Sequence, residues 1–154
     1  MPLGWRLTKA KHAANAFSGE GARRFGGRWN SRGVAMIYLS EHQSLAALEI
    51  FVHRQPLSPR DEYVMIAAEW DEGLMERLTA RALSDNWRVS PPGPATTAIG
   101  DRWVREARSA VLAVPSAIIP SETNFLINPA HPNFRRVRIR KPIAFEFDQR
   151  MLHR

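Results

Sequence analysis

Residues 34–53 read VAMIYLSEHQSLAALEIFVH, a run in which strand-type sequence passes directly into helix-type sequence. Residues 34–39 are a short apolar run of strand length. Apolar residues then recur at helical intervals, and Ser40 and Gln43 stand at the spacing of a capping box. The stretch therefore predicts a strand, a tight connection, and a helix that begins at Ser40 and ends near Arg54.

The rest of the chain predicts a similar mixture of strands and helices. Further strands are predicted at 63–69 and 111–114, and further helices at about 72–83 and 97–110. The Gly- and Arg-rich residues 1–33 and the segment 124–132 are predicted to be loops or turns. Alternating apolar residues in 137–147 predict half-buried antiparallel strands, and a hairpin around Lys141-Pro142 is one arrangement of them. Together these patterns predict an α+β fold, a single domain over residues 1–154 with mixed or antiparallel sheets and flanking helices.

Composition excludes several classes of function. The 154 residues include no cysteine, which rules out disulfides, a thiolate nucleophile and cysteine-ligated metal centres. The chain has no apolar stretch of membrane-spanning length and no signal-type N-terminus, so we expect a cytoplasmic protein without a membrane partner. The formal charge of +7 is concentrated at the two ends, because residues 1–32 carry seven Lys/Arg and one acid, and residues 131–154 carry seven and two.

The segment 26–33, GGRWNSRG, is rich in groups that bind anions. Its two arginines, its Asn and Ser donors and its closely spaced glycines suit a diphosphate. A glycine-rich hairpin with solvated arginines explains the same residues equally well. No phosphate-loop or dinucleotide-binding glycine pattern is present.

Three other residues attract attention. Glu49 interrupts an otherwise apolar helical stretch, where a carboxylate needs a partner or a cleft, and His53 at i+4 is the simpler partner. Tyr38 alone predicts a core aromatic with a satisfied hydroxyl, and Ser116 lacks a nucleophile elbow and is a plausible turn residue after Pro115. The histidines show no metal-ligand spacing, so we expect no metal site; they are His12, His42, His53, His131 and His153.

Taken in order, several blocks of the chain resemble the RES domain family. The resemblance runs from about Trp5 to Arg150. The blocks that carry it are SGEGA at 18–22, GRWNS at 27–31, IYLS at 37–40, ALE at 47–49, VPS at 114–116, NFLINP at 124–129, HPNF at 131–134 and FDQR at 147–150. The ordered series is far more specific than any single block.

The resemblance implies a fold related to ADP-ribosyltransferases and the toxin of a bacterial type II toxin–antitoxin pair. Such toxins destroy NAD⁺ by breaking its nicotinamide–ribose bond, through phosphorolysis or hydrolysis, and some relatives are assigned protein ADP-ribosylation instead. NAD⁺ is then the substrate, inorganic phosphate is a possible co-substrate, and no cofactor is required. The implied partner is a cognate Xre-type helix-turn-helix antitoxin that blocks the pocket, so nucleic acid is contacted only through the antitoxin complex.

The resemblance also assigns roles to five residues. Glu49 would stabilise the oxocarbenium-like state, and Arg28 and Arg6 would bind the diphosphate or an incoming phosphate. Tyr38 would stack on the nicotinamide or its ribose, and Ser116 would position the substrate by hydrogen bonding.

Two alternatives remain open at this point. Protein ADP-ribosyl transfer would use the same residues with a different acceptor. A basic nucleic-acid-binding module would use Arg135, Arg136, Arg138 and Arg140 on one strand face, although no aromatic residues alternate with these arginines as stacking platforms.

Overall fold

Eight strands of the described residues, 1–54 and 56–152, form one sheet in the computed structural model. The strands are β1 (Leu3–Lys9), β2 (Ile37–Ser40), β3 (Tyr63–Glu69), β4 (Met75–Arg77), β5 (Val111–Pro115), β6 (Thr123–Ile127), β7 (Arg138–Ile139) and β8 (Ile143–Phe145). The α-helices are α1 (Glu20–Phe25), α2 (Gln43–His53) and α3 (Pro94–Glu106). Short 3₁₀ turns lie at Ala10–Asn15, Glu72–Leu74, Ala80–Ala82, Pro132–Arg136 and Gln149–Met151.

The sheet is mixed, with the order β4-β5-β6-β2-β1-β3-β7, and β8 also pairs with β3. β4 and β5 are parallel, whereas the other neighbouring strands are antiparallel. The predicted α+β class with a mixed sheet is confirmed. None of the three α-helices in the described ranges has the length and apolar character that crossing a bilayer requires.

The two faces of the sheet are covered differently. Because side chains alternate along a strand, Leu39 and Phe125 face one side, where they pack with Ala68 and Trp70. On the other side, α2 packs over the β1 and β3 end with Leu7 and Met65, while α3 and the segment around Trp29 pack over the β5 and β6 end. Tyr38, Ser40 and Asn124 belong to this second face, between the areas that the two helices cover.

The N-terminal segment differs from the prediction. Residues 1–33, predicted to be loops or turns, contain β1 and α1. β1 pairs with β3 over its whole length, from Leu3 opposite Glu69 to Lys9 opposite Tyr63. The alternation of Leu3 and Leu7 with polar residues carried this signal, but the many glycines and arginines that follow it obscured the pattern.

Three predicted helix boundaries and one whole helix were wrong. α2 begins at Gln43 rather than Ser40, because the Ser40 hydroxyl donates to Asn124 and does not cap the helix. α3 begins at Pro94, whose fixed φ suits the first helical position, and ends at Glu106 rather than near Ala110. Residues 72–83 form β4 between two 3₁₀ turns, because pairing of Met75 with Val111 overrides the helical spacing of the charged residues.

The C-terminal predictions need two corrections. The segment 124–132 is not all loop, since β6 occupies Thr123–Ile127 between β5 and β2. β7 and β8 both pair with β3 instead of forming a hairpin with each other. Of the alternating apolar residues, Val137 and Phe147 are buried and Phe145 is partly buried, whereas Ile139 and Ile143 are exposed.

Candidate functional site

The centre of the candidate site is the carboxylate of Glu49, on the second turn of α2. Its Oε1 accepts hydrogen bonds from Asn124 Nδ2 at 2.9 Å and from Ser116 Oγ at 3.2 Å. Its Oε2 lies 3.6 Å from Nε2 of His53, the i+4 partner. The Glu49 side chain is 24% exposed, so the carboxylate is fixed by hydrogen bonds through Oε1 while the side chain stays partly accessible.

Both donors to Glu49 are themselves held in place. The Ser40 hydroxyl donates to Asn124 Oδ1, which leaves the Asn124 amide nitrogen directed at Glu49. Ser116 is fully buried, and its Oγ accepts the backbone N–H groups of Ile118 and Ile119. Because these two bonds occupy the acceptor side of the hydroxyl, its proton is directed at Glu49.

These contacts keep Glu49 ionised. Burial raises the pKa of its carboxyl, but the neighbouring His53 and the hydrogen bonds from Asn124 and Ser116 outweigh burial, so the pKa lies below its ordinary value. A carboxylate that is charged, partly buried and oriented before any ligand arrives can stabilise positive charge at little reorganisation cost.

Arg28 lies in the segment between α1 and β2 and is half-buried. Its Nη1 donates to the backbone carbonyls of Trp87 at 2.8 Å and Val89 at 3.0 Å. Burial lowers the pKa of Arg28, and the charge of Glu49 acts in the opposite direction, so the two groups lie within electrostatic range of each other. The rest of the guanidinium remains for an anion.

Tyr38 organises the loop that carries Arg28. Its hydroxyl donates to Asn30 Oδ1 at 2.6 Å and accepts the backbone N–H of Trp29 at 3.1 Å. Burial raises the pKa of this phenol, which stays protonated. A Cβ at Gly27 would lie 2.6 Å from the hydroxyl oxygen, so glycine at this position permits close packing of the loop on Tyr38.

This arrangement corrects the reading of the segment 26–33 as a set of free anion donors. The Asn30 amide donates to the carbonyls of Ala22, Ser31 and Val34. The Ser31 hydroxyl and backbone N–H both donate to Asp101 of α3. Both polar side chains therefore hold the loop together, and Arg28 is a residue of that segment that lies within electrostatic range of Glu49.

Arg6 lies on β1, where the pairing of β1 with β2 is limited to Trp5 opposite Ser40. Its Nη1 donates to the Tyr38 carbonyl at 3.1 Å, while its buried Nε has no hydrogen-bond partner among the residues the structure describes. Burial, together with the charge of Arg54, lowers the pKa of Arg6 to about 10. A buried guanidinium near a second cation favours an anionic ligand.

Two other groups of charged side chains in the described residues lie apart from Glu49, Arg28 and Arg6. Glu41, His42 and Glu122 each place one possible metal-ligand atom within 4.8 Å of the others, but Glu41 already accepts the Thr123 N–H. The expectation of no metal site stays a prediction, and His153 lies outside the described residues. The basic C-terminal arginines are partly neutralised: Arg136 pairs with Asp71, and Arg138 and Arg140 pair with Glu69.

The structure thus brings Glu49 and Ser116 into direct contact and holds Arg28 near Glu49. It also joins Arg6 to the backbone of Tyr38. The catalytic roles of all five residues stay predictions. Sequence reasoning identified neither Asn124 as a partner of Glu49 nor Ser40 as the residue that orients Asn124. Their only signal was membership in the NFLINP and IYLS blocks, because their contact depends on pairing of β2 with β6.

Known proteins of similar sequence and fold agree with the resemblance to the RES domain family. The RES domain family model matches residues 3–148. The chain is 38% identical over 149 residues to "Toxin Res" of Yersinia enterocolitica, covering 96% of this chain and 97% of that protein. It is 39% identical over 155 residues to "Prs ADP-ribosylating toxin" of Sphingobium sp., covering 97% and 96%. The toxin–antitoxin complex MbcT–MbcA of M. tuberculosis contains a chain of similar fold, with a TM-score of 0.76, 21% identity, and coverage of 93% of this chain and 83% of that chain.

Proposed function

The chain belongs to the RES domain family, and on that premise we propose that it is the toxin of a bacterial toxin–antitoxin pair that cleaves the nicotinamide–ribose bond of NAD⁺. The observation that carries the proposal is the ionised Glu49 carboxylate, held by Asn124 and Ser116 and facing the charge of Arg28. The names of the two relatives, a toxin and an ADP-ribosylating toxin, support it.

The proposed reaction needs positioning and charge more than covalent catalysis. The bond from the ribose anomeric carbon to the pyridinium nitrogen breaks, its electron pair neutralises the nitrogen, and nicotinamide leaves. Glu49 stabilises the oxocarbenium-like charge that develops on the ribose. An oxygen of phosphate or water then forms the new bond at the same carbon, yielding ADP-ribose 1-phosphate or, with loss of a proton, ADP-ribose.

The arginines are proposed to bind the anionic parts of the reaction. Arg28 has its Nε and Nη2 groups left for the diphosphate after Nη1 is bound by two carbonyls. Arg6, whose Nε is buried without a partner among the described residues, would bind either the diphosphate or inorganic phosphate as co-substrate.

Tyr38 and Ser116 are given supporting roles. The Tyr38 hydroxyl is used within the protein, so any stacking on the nicotinamide would involve the ring alone. Because Ser116 is fully buried and bonded to Glu49, we propose that it orients the carboxylate rather than contacting the substrate. No metal or other cofactor is part of this proposal.

Nicotinamide release from NAD⁺, with and without phosphate, tests the activity. We expect release by the purified protein, a loss of about a hundredfold or more in Glu49→Gln, and near-normal release by Glu106→Gln. Glu106 is a matched control because it is a surface glutamate at the end of α3 that pairs with Arg102 and Arg108. Intact NAD⁺ under both conditions would refute the proposal.

Protein ADP-ribosylation is the second candidate, favoured by the name of the Sphingobium relative. It uses the same site with a protein acceptor in place of phosphate or water. Labelled NAD⁺ added to a lysate separates the two: label in protein supports the transferase, and label in small molecules supports NAD⁺ degradation.

The proposed partner is a helix-turn-helix antitoxin that covers the site and supplies any DNA binding. The fold neighbour comes from a toxin–antitoxin complex, which supports this choice of partner. Co-expression with the product of an adjacent reading frame should give a stable complex without NAD⁺ cleavage. Failure of such a product to inhibit cleavage would contradict the assignment. A nucleic-acid-binding module is disfavoured because Glu69 and Asp71 neutralise part of the C-terminal basic segment.

A further inference from the structure

The segment 84–92, between the last 3₁₀ turn before α3 and α3 itself, is exposed except at Trp87. Trp87 packs against the hydrophobic cluster that contains Trp29, Trp103 and Leu112. In the described part of the chain, the side-chain hydrogen bonds that join residues 87–89 to other segments lead to the candidate site. The Trp87 ring lies 6.3 Å from that of Trp29, next to Arg28.

The first attachment is to Arg28. Its Nη1 binds the carbonyls of Trp87 and Val89, the two residues on either side of Arg88. A guanidinium held along one edge by two carbonyls presents its other edge in a fixed direction, because the group is planar and rigid. The segment therefore determines where the remaining Arg28 donors point.

The second attachment is to the turn that follows β5. Arg88 Nε donates to the Ala117 carbonyl at 2.8 Å, and its Nη2 reaches the Ile118 carbonyl at 3.5 Å. The N–H of Ile118 donates to Ser116 Oγ, which donates to Glu49. A continuous series of contacts thus leads from Arg28 through residues 87–89 to the carboxylate.

We propose that Arg88 is a positioning residue that fixes the separation between the anion-binding edge of Arg28 and the carboxylate of Glu49. The inference rests on the proposed function, in which Arg28 binds the diphosphate and Glu49 acts at the ribose. The charge of Arg88 also lowers the pKa of Arg28, which agrees with two guanidinium groups in close proximity. Without Arg88, residues 87–89 lose their hydrogen bonds to the Ser116 turn and are held by the packing of Trp87, so the direction of the bound Arg28 is less narrowly defined.

The test uses the full chain carrying Arg88→Ala, Arg88→Lys or the matched control Arg81→Ala, from the neighbouring exposed 3₁₀ turn. We measure KM and kcat for NAD⁺ cleavage and the Kd for ADP, which carries the diphosphate without the reacting bond. Loss of a charge-assisted hydrogen bond predicts that Arg88→Ala raises KM for NAD⁺ and Kd for ADP about tenfold, with a smaller change in kcat. Arg88→Lys should fall between this variant and the wild type, and Arg81→Ala should match the wild type.

A double-variant comparison separates positioning from a general structural effect. If Arg88 acts through Arg28, adding Arg88→Ala to Arg28→Ala should not weaken ADP binding further. An additive loss, or an unchanged Kd for ADP in the single variant, overturns the inference. If the wild type leaves NAD⁺ intact, the proposed function fails; if the wild type cleaves NAD⁺ and Arg88→Ala behaves identically, only the role of Arg88 fails.

Discussion

Replacing Asn124 by alanine should raise the pKa of Glu49 and move the acid limb of the pH–rate profile upward. The change removes the 2.9 Å hydrogen bond from Asn124 Nδ2 to Glu49 Oε1 and keeps the Ser116 contact. A hydrogen bond to a charged group contributes about 1.5–3 kcal/mol, and one pKa unit corresponds to about 1.36 kcal/mol. Because a quarter of the Glu49 side chain is exposed, the lower end of this energy range applies, and we expect the pKa of Glu49 to rise by about one unit.

The direction of the change follows from the opposing influences on Glu49. Burial alone raises the pKa of Glu49, and hydrogen bonds bring it below its ordinary value. The stability contributed by such a carboxylate is present above its unfolded-state pKa and is lost as pH falls through its folded-state pKa. In Asn124→Ala the folded-state pKa is higher, so both this stability and the active ionised form are lost at a higher pH than in the wild type.

Two measurements check the shift independently. The pH dependence of kcat for nicotinamide release reports the acid limb, and ¹³C NMR titration of the Glu49 carboxyl reports its pKa without turnover. Circular dichroism at each pH verifies that the variant is folded. Asn128→Ala is the matched control, because Asn128 is a buried amide just after β6 that accepts from Ala130 and does not contact Glu49. A folded Asn124→Ala protein with an unshifted Glu49 pKa would refute this account of the site.

Three further perturbations test the surroundings of the site. Tyr38→Phe removes the hydroxyl that holds Asn30 and Trp29, so the free energy of unfolding from urea denaturation should fall by about 1–3 kcal/mol; an unchanged value would mean that the loop does not depend on it. Gly100→Ala would place a Cβ 1.7 Å from the Trp29 carbonyl oxygen, so we expect a large drop in Tm. Gly73→Ala is the control, because a Cβ there meets no atom within 4 Å and the variant should unfold like the wild type. Equal Tm values for the two variants would contradict the packing of Gly100 on Trp29. His53→Gln should shift the acid limb upward by less than Asn124→Ala does, because the His53 side chain is 70% exposed; a larger shift, relative to His12→Gln as control, would assign the dominant contact to His53.

Glu49 could be identified from the sequence because a carboxylate within an apolar helical stretch needs a hydrogen-bond partner or a cleft. A neighbour on the same helix meets this need only in part. The simpler partner, His53, is present at 3.6 Å, and the cleft partners Asn124 and Ser116 are present as well. These two lie 75 and 67 residues from Glu49, so their contact depends on how the strands assemble. No local pattern reports such a contact.

Ser40 shows why a correct local signal can lead to a wrong boundary. Its spacing from Gln43 fits a capping box, and a hydroxyl at such a position ordinarily accepts a backbone N–H. In the folded chain Ser40 is the last residue of β2 and lies opposite Asn124, to which its hydroxyl donates. Tertiary pairing therefore uses the hydroxyl to direct the Asn124 amide at Glu49, and α2 begins three residues later without a side-chain cap.

The polar atoms of the site divide into those used within the protein and those left for a ligand. Glu49 Oε1, the Tyr38 hydroxyl and Arg28 Nη1 are all bonded to other groups of the chain. Within the described residues, three groups make no hydrogen bond: Glu49 Oε2, which lies 3.6 Å from His53 Nε2, the remaining edge of Arg28, and the buried Nε of Arg6. In the proposed reaction these groups would suit NAD⁺, because positive charge moves from the pyridinium nitrogen to the ribose as the bond breaks, while the diphosphate stays anionic. Under the same proposal the carboxylate would act alike whether phosphate, water or a protein nucleophile attacks, so the acceptor would be determined by what reaches the ribose.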